Sequence, residues 1–166
     1  MENKSNNYVK RHIKDTLIHK ELFTRSCRKM VFHLYDLGRD EDALKLARRC
    51  LIHDNSKLEG DEIELFSKIP TDDMECNQPH TELTEEKKQL ISLHWARNSH
   101  HPEFFDDYHQ MEEIDIIEMC CDWHSRTIQF GTELIPYLLN TQRKRFGFDD
   151  DFFAKILEYC EFLNTD

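Results

Sequence analysis

His53 and Asp54 stand side by side in Leu51-Ile52-His53-Asp54-Asn55-Ser56-Lys57, with a lysine three residues past the carboxylate. An imidazole and a carboxylate at one point of the chain can begin a metal site or an acid–base pair. Ten histidines among 166 residues are the compositional anomaly. His94, His100 and His101 put three imidazoles into eight residues, and Pro102 follows at once. Cys121-Asp122-Trp123-His124 carries a second carboxylate inside an apolar stretch.

Helices must position these groups. Four glycines and four prolines in the whole chain, with Leu, Glu, Lys, Arg and Ala recurring between apolar positions, predict an all-α fold. The length suits one domain, residues 1–166, built as a bundle of about six helices. From Tyr8 to Leu37, Val9, Ile13, Leu17, Leu22, Met30, Val31 and Leu34 recur at helical spacing, which predicts one long helix or two nearly collinear ones, and Gly38 stops it. Asp40 is the expected cap of a second helix through Ala43, Leu44, Leu46, Ala47, Cys50 and Leu51. The spacing and stop signals further predict a short helix over 61–68, a loop over 69–83, and helices over 84–98, 112–130, 134–145 and 151–163.

The first two helices form an antiparallel hairpin about Gly38, so residues equally far from the turn come to one level. His53 is fifteen residues past Gly38, which matches Phe23 on the first helix. At about 1.5 Å per residue His19 is one turn from that level, whereas His12 and His33 are two turns or more away. The assembled set is His19, His53, Asp54, His94, His100, His101 and Asp122. Five imidazoles and two carboxylates, with no thiolate, suit Mn, Fe, Co, Ni or Zn rather than Ca or Mg. His80 and His109 sit in polar loops and are left to solvent, and His124 falls on another helix face. Trp95 and Trp123 are expected to pack in the core.

Thirty-three acids against twenty-two bases give a formal charge of -11, which argues against polymeric nucleic acid as a partner. Six cysteines show no CxxC pair, and Cys120 and Cys121 are adjacent, so free thiols in a reducing cytosol are expected. No run approaches the roughly 18 apolar residues of a membrane span, and a cytoplasmic location follows as an expectation.

The succession of a lone helical His, then His-Asp with a following Lys, then His, His-His and Asp resembles the HD-domain superfamily of metal-dependent phosphohydrolases over roughly residues 10–130. The phrases HDNSK, LHWARNSHHPE and MCCDW resemble a smaller, uncharacterised HD-related family. The resemblance implies a helical bundle in which His19, His53, Asp54 and Asp122 hold one metal. His94, His100 and His101 would hold a second, with Asp54 as the bridge, as in the binuclear subgroup. Two divalent transition metals are implied, Fe or Mn favoured. Ser56 stands where the usual phrase has glycine, and the glycine-tyrosine-proline signature of cyclic-dinucleotide phosphodiesterases is absent.

The activity implied is phosphomonoester or phosphodiester hydrolysis of a small phosphorylated metabolite, a nucleotide or cyclic nucleotide. Asp54 serves in catalysis, and Lys57 neutralises phosphoryl charge. Arg97 and Arg126 are further candidates for phosphate contact, although Arg126 is also placed to pair with Asp122 at i, i+4. Two alternatives stand beside this reading. One is a di-iron oxygenase on an HD-like scaffold, and the other is a non-catalytic nucleotide-binding or interaction module.

Overall fold

Helix α1, Lys4–Asp36, is 33 residues long, about 50 Å at a rise of about 1.5 Å per residue. It is a single helix that begins earlier than the apolar spacing suggests. In the computed structural model, which describes residues 4–66 and 85–165, every regular element is helical. The all-α bundle expected from composition is thus observed.

One face of α1 is buried along most of its length. His12, Thr16, His19, Phe23, Cys27, Met30 and Leu34 follow at steps of three and four, one continuous stripe of a 3.6-residue helix. Its chemistry changes midway: polar through His19, apolar from Phe23 on. Gly38, at φ +72°, ends the helix. Arg39 N–H donates to Leu34 O at 2.8 Å and Gly38 N–H to Tyr35 O at 2.9 Å, the paired bonds that satisfy terminal carbonyls when a left-handed residue follows a helix.

Helix α2, Asp40–Ile52, returns along α1. Asp40 is not its cap, as the sequence had suggested. Arg39 occupies that position without a side-chain cap, and Asp40, Glu41 and Asp42 fill the first turn, where the helix dipole favours acids. Ala43, Leu46 and Cys50 face α1, and His53 falls next on the same stripe.

A 3-10 turn, Asn55–Leu58, leads into α3, Gly60–Phe66, which packs on α4, Glu85–Trp95. The expected loop over 69–83 and Thr84 lie outside the described residues. Two 3-10 turns then lead to α5, Glu113–Phe130. This is the central helix: Ile114 through Trp123 are all buried, and α1, α2 and α8 pack around it. Glu112 and Asp115 close a reciprocal capping box at its start.

The helix predicted over 134–145 is broken into α6, Leu134–Tyr137, a π turn, Leu138–Gln142, and α7, Arg143–Phe146. Helix α8, Asp150–Leu163, is capped by Asp149, whose side chain accepts from Phe152 N–H at 2.8 Å. Among the described residues no helix is long and apolar enough to cross a membrane. Cys27, Cys50, Cys120, Cys121 and Cys160 are free thiols, buried apart from the half-buried Cys50, in line with expectation.

Two outcomes test this reading. Gly38→Ala forces an L side chain into the left-handed region and should lower unfolding stability by about 1–2 kcal/mol in chemical denaturation. His109, exposed as expected, bridges Asp107 (2.8 Å) and Asp149 (2.7 Å). Hydrogen bonds to Asp107 and Asp149 raise its pKa above 6.5. Bonds from the backbone N–H groups of His109 and Phe152, and then from the imidazole, lower those of Asp107 and Asp149 below 3.8. The imidazolium contribution is therefore complete below pH 6.5 and is lost as pH rises through the raised value. The carboxylate contribution is complete above pH 3.8 and is lost as pH falls through the lowered values. The Tm advantage of the wild type over His109→Gln should be larger near pH 5 than near pH 9, and an equal advantage at both would refute the clamp.

Candidate metal centre

The N-terminal half of the α1 stripe, the ends of α2 and α4, the turn before Pro102 and one face of α5 converge on a single buried cluster. Consecutive residues on a helix point about 100° apart, so His53 and Asp54 could not both face the cluster from within α2. The chain leaves the helix instead. His53 sits at φ -48°, ψ 128° and Asp54 at φ 58°, ψ 16°, the one positive φ outside glycine among the described residues. An Asp tolerates this conformation better than most residues. Both side chains then turn inward, at 2 % and 1 % exposure.

The hairpin register places the Phe23 ring on that of His53, stacked at 3.5 Å between centroids. His19, one turn earlier, points into the cluster.

Two sets of donors meet there. In the first, His19 Nε2 lies 2.9 Å from Asp122 Oδ1, 3.3 Å from Asp54 Oδ2 and 3.4 Å from His53 Nε2. His53 Nε2 is 3.6 Å from both Asp54 Oδ2 and Asp122 Oδ1. Ligands about 2.1 Å from a common ion lie roughly 3.0–3.4 Å apart, so these edges outline a cage close to the size of a first-row transition ion. In the second set, His94 Nε2 is 3.1 Å from His101 Nε2 and 3.3 Å from Asp54 Oδ1, and His100 Nε2 is 4.0 Å from Asp54 Oδ1. Asp54 belongs to both sets, one carboxylate oxygen toward each.

Among the described residues, three donor atoms of these sets, Asp54 Oδ1, Asp122 Oδ1 and His100 Nε2, are buried without a hydrogen-bond partner. Polar atoms left so are costly unless something else satisfies them. Converging, unsatisfied nitrogen and oxygen donors fit a bound cation. Four of the five opposite ring nitrogens are engaged: His53 Nδ1 with Glu118 at 2.9 Å, His94 Nδ1 with Glu62 at 3.1 Å, His100 Nδ1 with Glu118 at 3.4 Å and His19 Nδ1 with Ser125 at 3.3 Å. Metal-binding histidines commonly hold their second ring N–H this way, which fixes the ring and leaves Nε2 as the donor.

Burial opposes charge on every group here, and partners decide the outcome. Against burial, Lys57 and the neighbouring imidazoles keep Asp54 well below the usual carboxylate range. His19 and His53 do the same for Asp122, and His100 and His53 for Glu118. His53 is lifted to about 9 despite burial, by Asp54, Asp122 and Glu118. Burial, then neighbouring imidazoles, push His100 and His101 down, which leaves them neutral and able to donate a lone pair.

The structure thus brings together all seven residues chosen as metal ligands: His19, His53, Asp54, His94, His100, His101 and Asp122. Adjacent His100 and His101 converge because the chain turns between them, with His101 extended at φ -96°, ψ 129° ahead of Pro102.

The cationic candidates are placed differently from one another. Lys57 Nζ donates to Asp54 Oδ2 at 2.5 Å. Arg97 is held by Glu62 at 3.3 Å and Asp61 at 3.4 Å, so it braces the support of His94 instead of facing a phosphate. Arg126 lies 4.0 Å from Asp122 and donates to Gln129, the pairing foreseen from its spacing. Trp123 is buried, whereas Trp95 is only half-buried with the Arg145 guanidinium over its ring. His124 bonds Ser26 away from the cluster, His33 stacks on Phe162, and His80 lies outside the described residues. His12, two turns away from the His53 level, still reaches the site's edge by donating to Lys57 O at 2.8 Å.

Several contributors escaped the sequence reading, Ser125 at His19 Nδ1 among them. Glu118 had a signal: Asp115, Glu118 and Asp122 share one face of α5 inside an otherwise apolar run. Arg49 pairs with that face, its Nε 2.6 Å from Glu118 Oε2 and its Nη2 on Asp115. Lys20 ties down the turn itself by donating to His53 O and, at 2.7 Å, to Asn55 Oδ1. Glu62 had no local signal, because its role arises only when α3 packs on α4.

No curated protein and no solved structure matches the chain. A family model does match, over residues 8–160, a span that contains every residue of the cluster. The chain belongs to that family, DUF5662, a family of unknown function.

Proposed function

We propose that this protein is a metal-dependent phosphohydrolase of the HD type, acting on a small phosphorylated metabolite, with a nucleotide or cyclic nucleotide as the favoured substrate. One observation carries the reading: Asp54 directs Oδ2 to His19 and His53 and Oδ1 to His94 and His100, Asp122 completing the first donor set and His101 the second, while Lys57 reaches the same carboxylate. A carboxylate shared by two donor sets suits a pair of divalent ions, here Fe or Mn. Bound there, two such ions supply a water of lowered pKa and charge neutralisation at phosphorus.

The chain's own residues do the rest. Glu118, Glu62 and Ser125 orient the imidazoles before any substrate arrives, so these rings need not reorganise during the reaction. Lys57 exchanges its pairing with Asp54 for the phosphoryl oxygen and stabilises charge as the leaving group departs. The acidic surface, at a formal -11, repels a polyanionic polymer and leaves short phosphate esters as the class admitted.

Metal analysis of the purified protein, then a screen of nucleotides and phosphate esters with Mn, Fe, Co and Ni in turn, tests the reading. Two equivalents of metal are expected, together with ester hydrolysis read as free phosphate from a monoester or as the ring-opened monophosphate from a cyclic nucleotide. Two irons with oxygen consumption and no hydrolysis of any phosphate ester would favour an HD-like oxygenase instead, and a chain that takes up no metal would leave a non-catalytic module. Asp54→Asn is the sharper probe than alanine, because Asn also tolerates the left-handed conformation. It should fold yet fall below one equivalent of metal. Lys57→Ala should keep its metal and lose roughly 10²–10³-fold in kcat.

A further inference from the structure

The outer nitrogens of the cluster are not served evenly. Ser125 holds His19 alone and Glu62 holds His94 alone. Glu118 holds two imidazoles through one oxygen: Oε1 accepts from His53 Nδ1 at 2.9 Å and lies 3.4 Å from His100 Nδ1. These two rings belong to different donor sets, and they pack on each other at 4.5 Å between centroids. The other carboxylate oxygen, Oε2, is fixed by Arg49 at 2.6 Å, and Arg49 is itself anchored on Asp115. Glu118 therefore has no rotational freedom to serve one ring at the expense of the other.

His53, His100 and Glu118 are also close enough together to form a third group of donors. That group would use the Nδ1 atoms, of which that of His53 already donates to the carboxylate and that of His100 lies 3.4 Å from it, while the Nε2 atoms face Asp54. Glu118 is a hydrogen-bond hub and not a ligand.

We propose that Glu118 is a positioning residue common to both half-sites, so that it sets the metal affinity of the two together, whereas Glu62 and Ser125 each tune one. The proposal rests on the metal-centre reading above and deepens it. A carboxylate that accepts from a metal-bound imidazole raises the basicity of the ring and holds its direction, and its loss lowers metal affinity by about 10–100-fold. A single carboxylate oxygen shared between two rings extends that loss to both sites.

Co²⁺ titration against a competing chelator, in two full-length single-site backgrounds, tests this. His19→Ala disables the first set and His101→Ala the second. Glu118→Gln should weaken Co²⁺ binding about 10–100-fold in both backgrounds. Glu62→Gln should do so only with the second set intact, and Ser125→Ala only with the first. Where Glu118→Gln does not give wild-type helical content by circular dichroism, Glu118→Asp is the second variant. It keeps the charge but withdraws the oxygen, and it should also weaken both sites. A loss confined to one background, or to neither, in a folded variant overturns the hub while leaving the metal centre standing. A wild-type chain that binds no Co²⁺, Mn²⁺ or Fe²⁺ overturns the metal centre and the hub with it.

Discussion

The carboxylate of Asp54 is the constraint around which the rest is arranged. It is almost wholly buried and ionised, and it is carried by a residue in a left-handed conformation. An uncompensated carboxylate at such depth would cost several kcal/mol. The surrounding chain offsets that cost from every side. Lys57 donates from the 3-10 turn, His19 approaches from α1, His94 from α4, and Lys20 holds the carbonyl and the amide that flank the turn. The turn that points Asp54 inward also points His53 inward, so backbone geometry and site chemistry are one feature here.

The same logic extends outward through α5. Asp54, Glu62, Asp115, Glu118 and Asp122 are all buried, an arrangement with little merit for stability alone. Apolar side chains of similar volume in place of a buried ion network are often neutral or stabilising. A core helix that gives one face to Asp115, Glu118, Asp122 and Ser125 therefore points to function. Arg49, on α2, spans Asp115 and Glu118 and so joins the capping box of α5 to the support of two imidazoles. Disturbance at the start of that helix would be felt at the cluster through few intervening contacts.

Much of this was legible in the sequence, and the reasons differ by residue. The all-α class follows from composition and helical spacing, and the break at Gly38 from a local stop signal. The hairpin about Gly38 sufficed to pair His53 with Phe23 and hence to select His19, because helix rise converts sequence distance into height. Asp122 and the three downstream histidines stood out by type. What stayed hidden depended on packing between elements distant in the chain. Glu62 meets His94 only across the α3–α4 contact, and Arg97 turned from a phosphate candidate into a brace for the same reason. The break of the 134–145 helix into a π turn also left no trace in its apolar spacing. Asp40 illustrates the limit of local signals: it has the right type for a cap, yet the Gly38 turn places Arg39 there.

The stripe on α1 explains how a polar cluster of this size is tolerated. Its C-terminal half, Phe23, Cys27, Met30 and Leu34, belongs to the same apolar core as Phe153, Ile156 and Leu163 of α8, and that burial supplies the driving force for folding. Its N-terminal half, His12, Thr16 and His19, contributes little of that kind and is held by directed hydrogen bonds and ion pairs. Phe23 stands at the junction, one face of its ring against His53. A long rigid helix shared by both regions lets apolar burial at one end fix the positions of imidazoles at the other. A donor cage needs placement to within about 0.5 Å, and the apolar half of α1 provides the anchor for it.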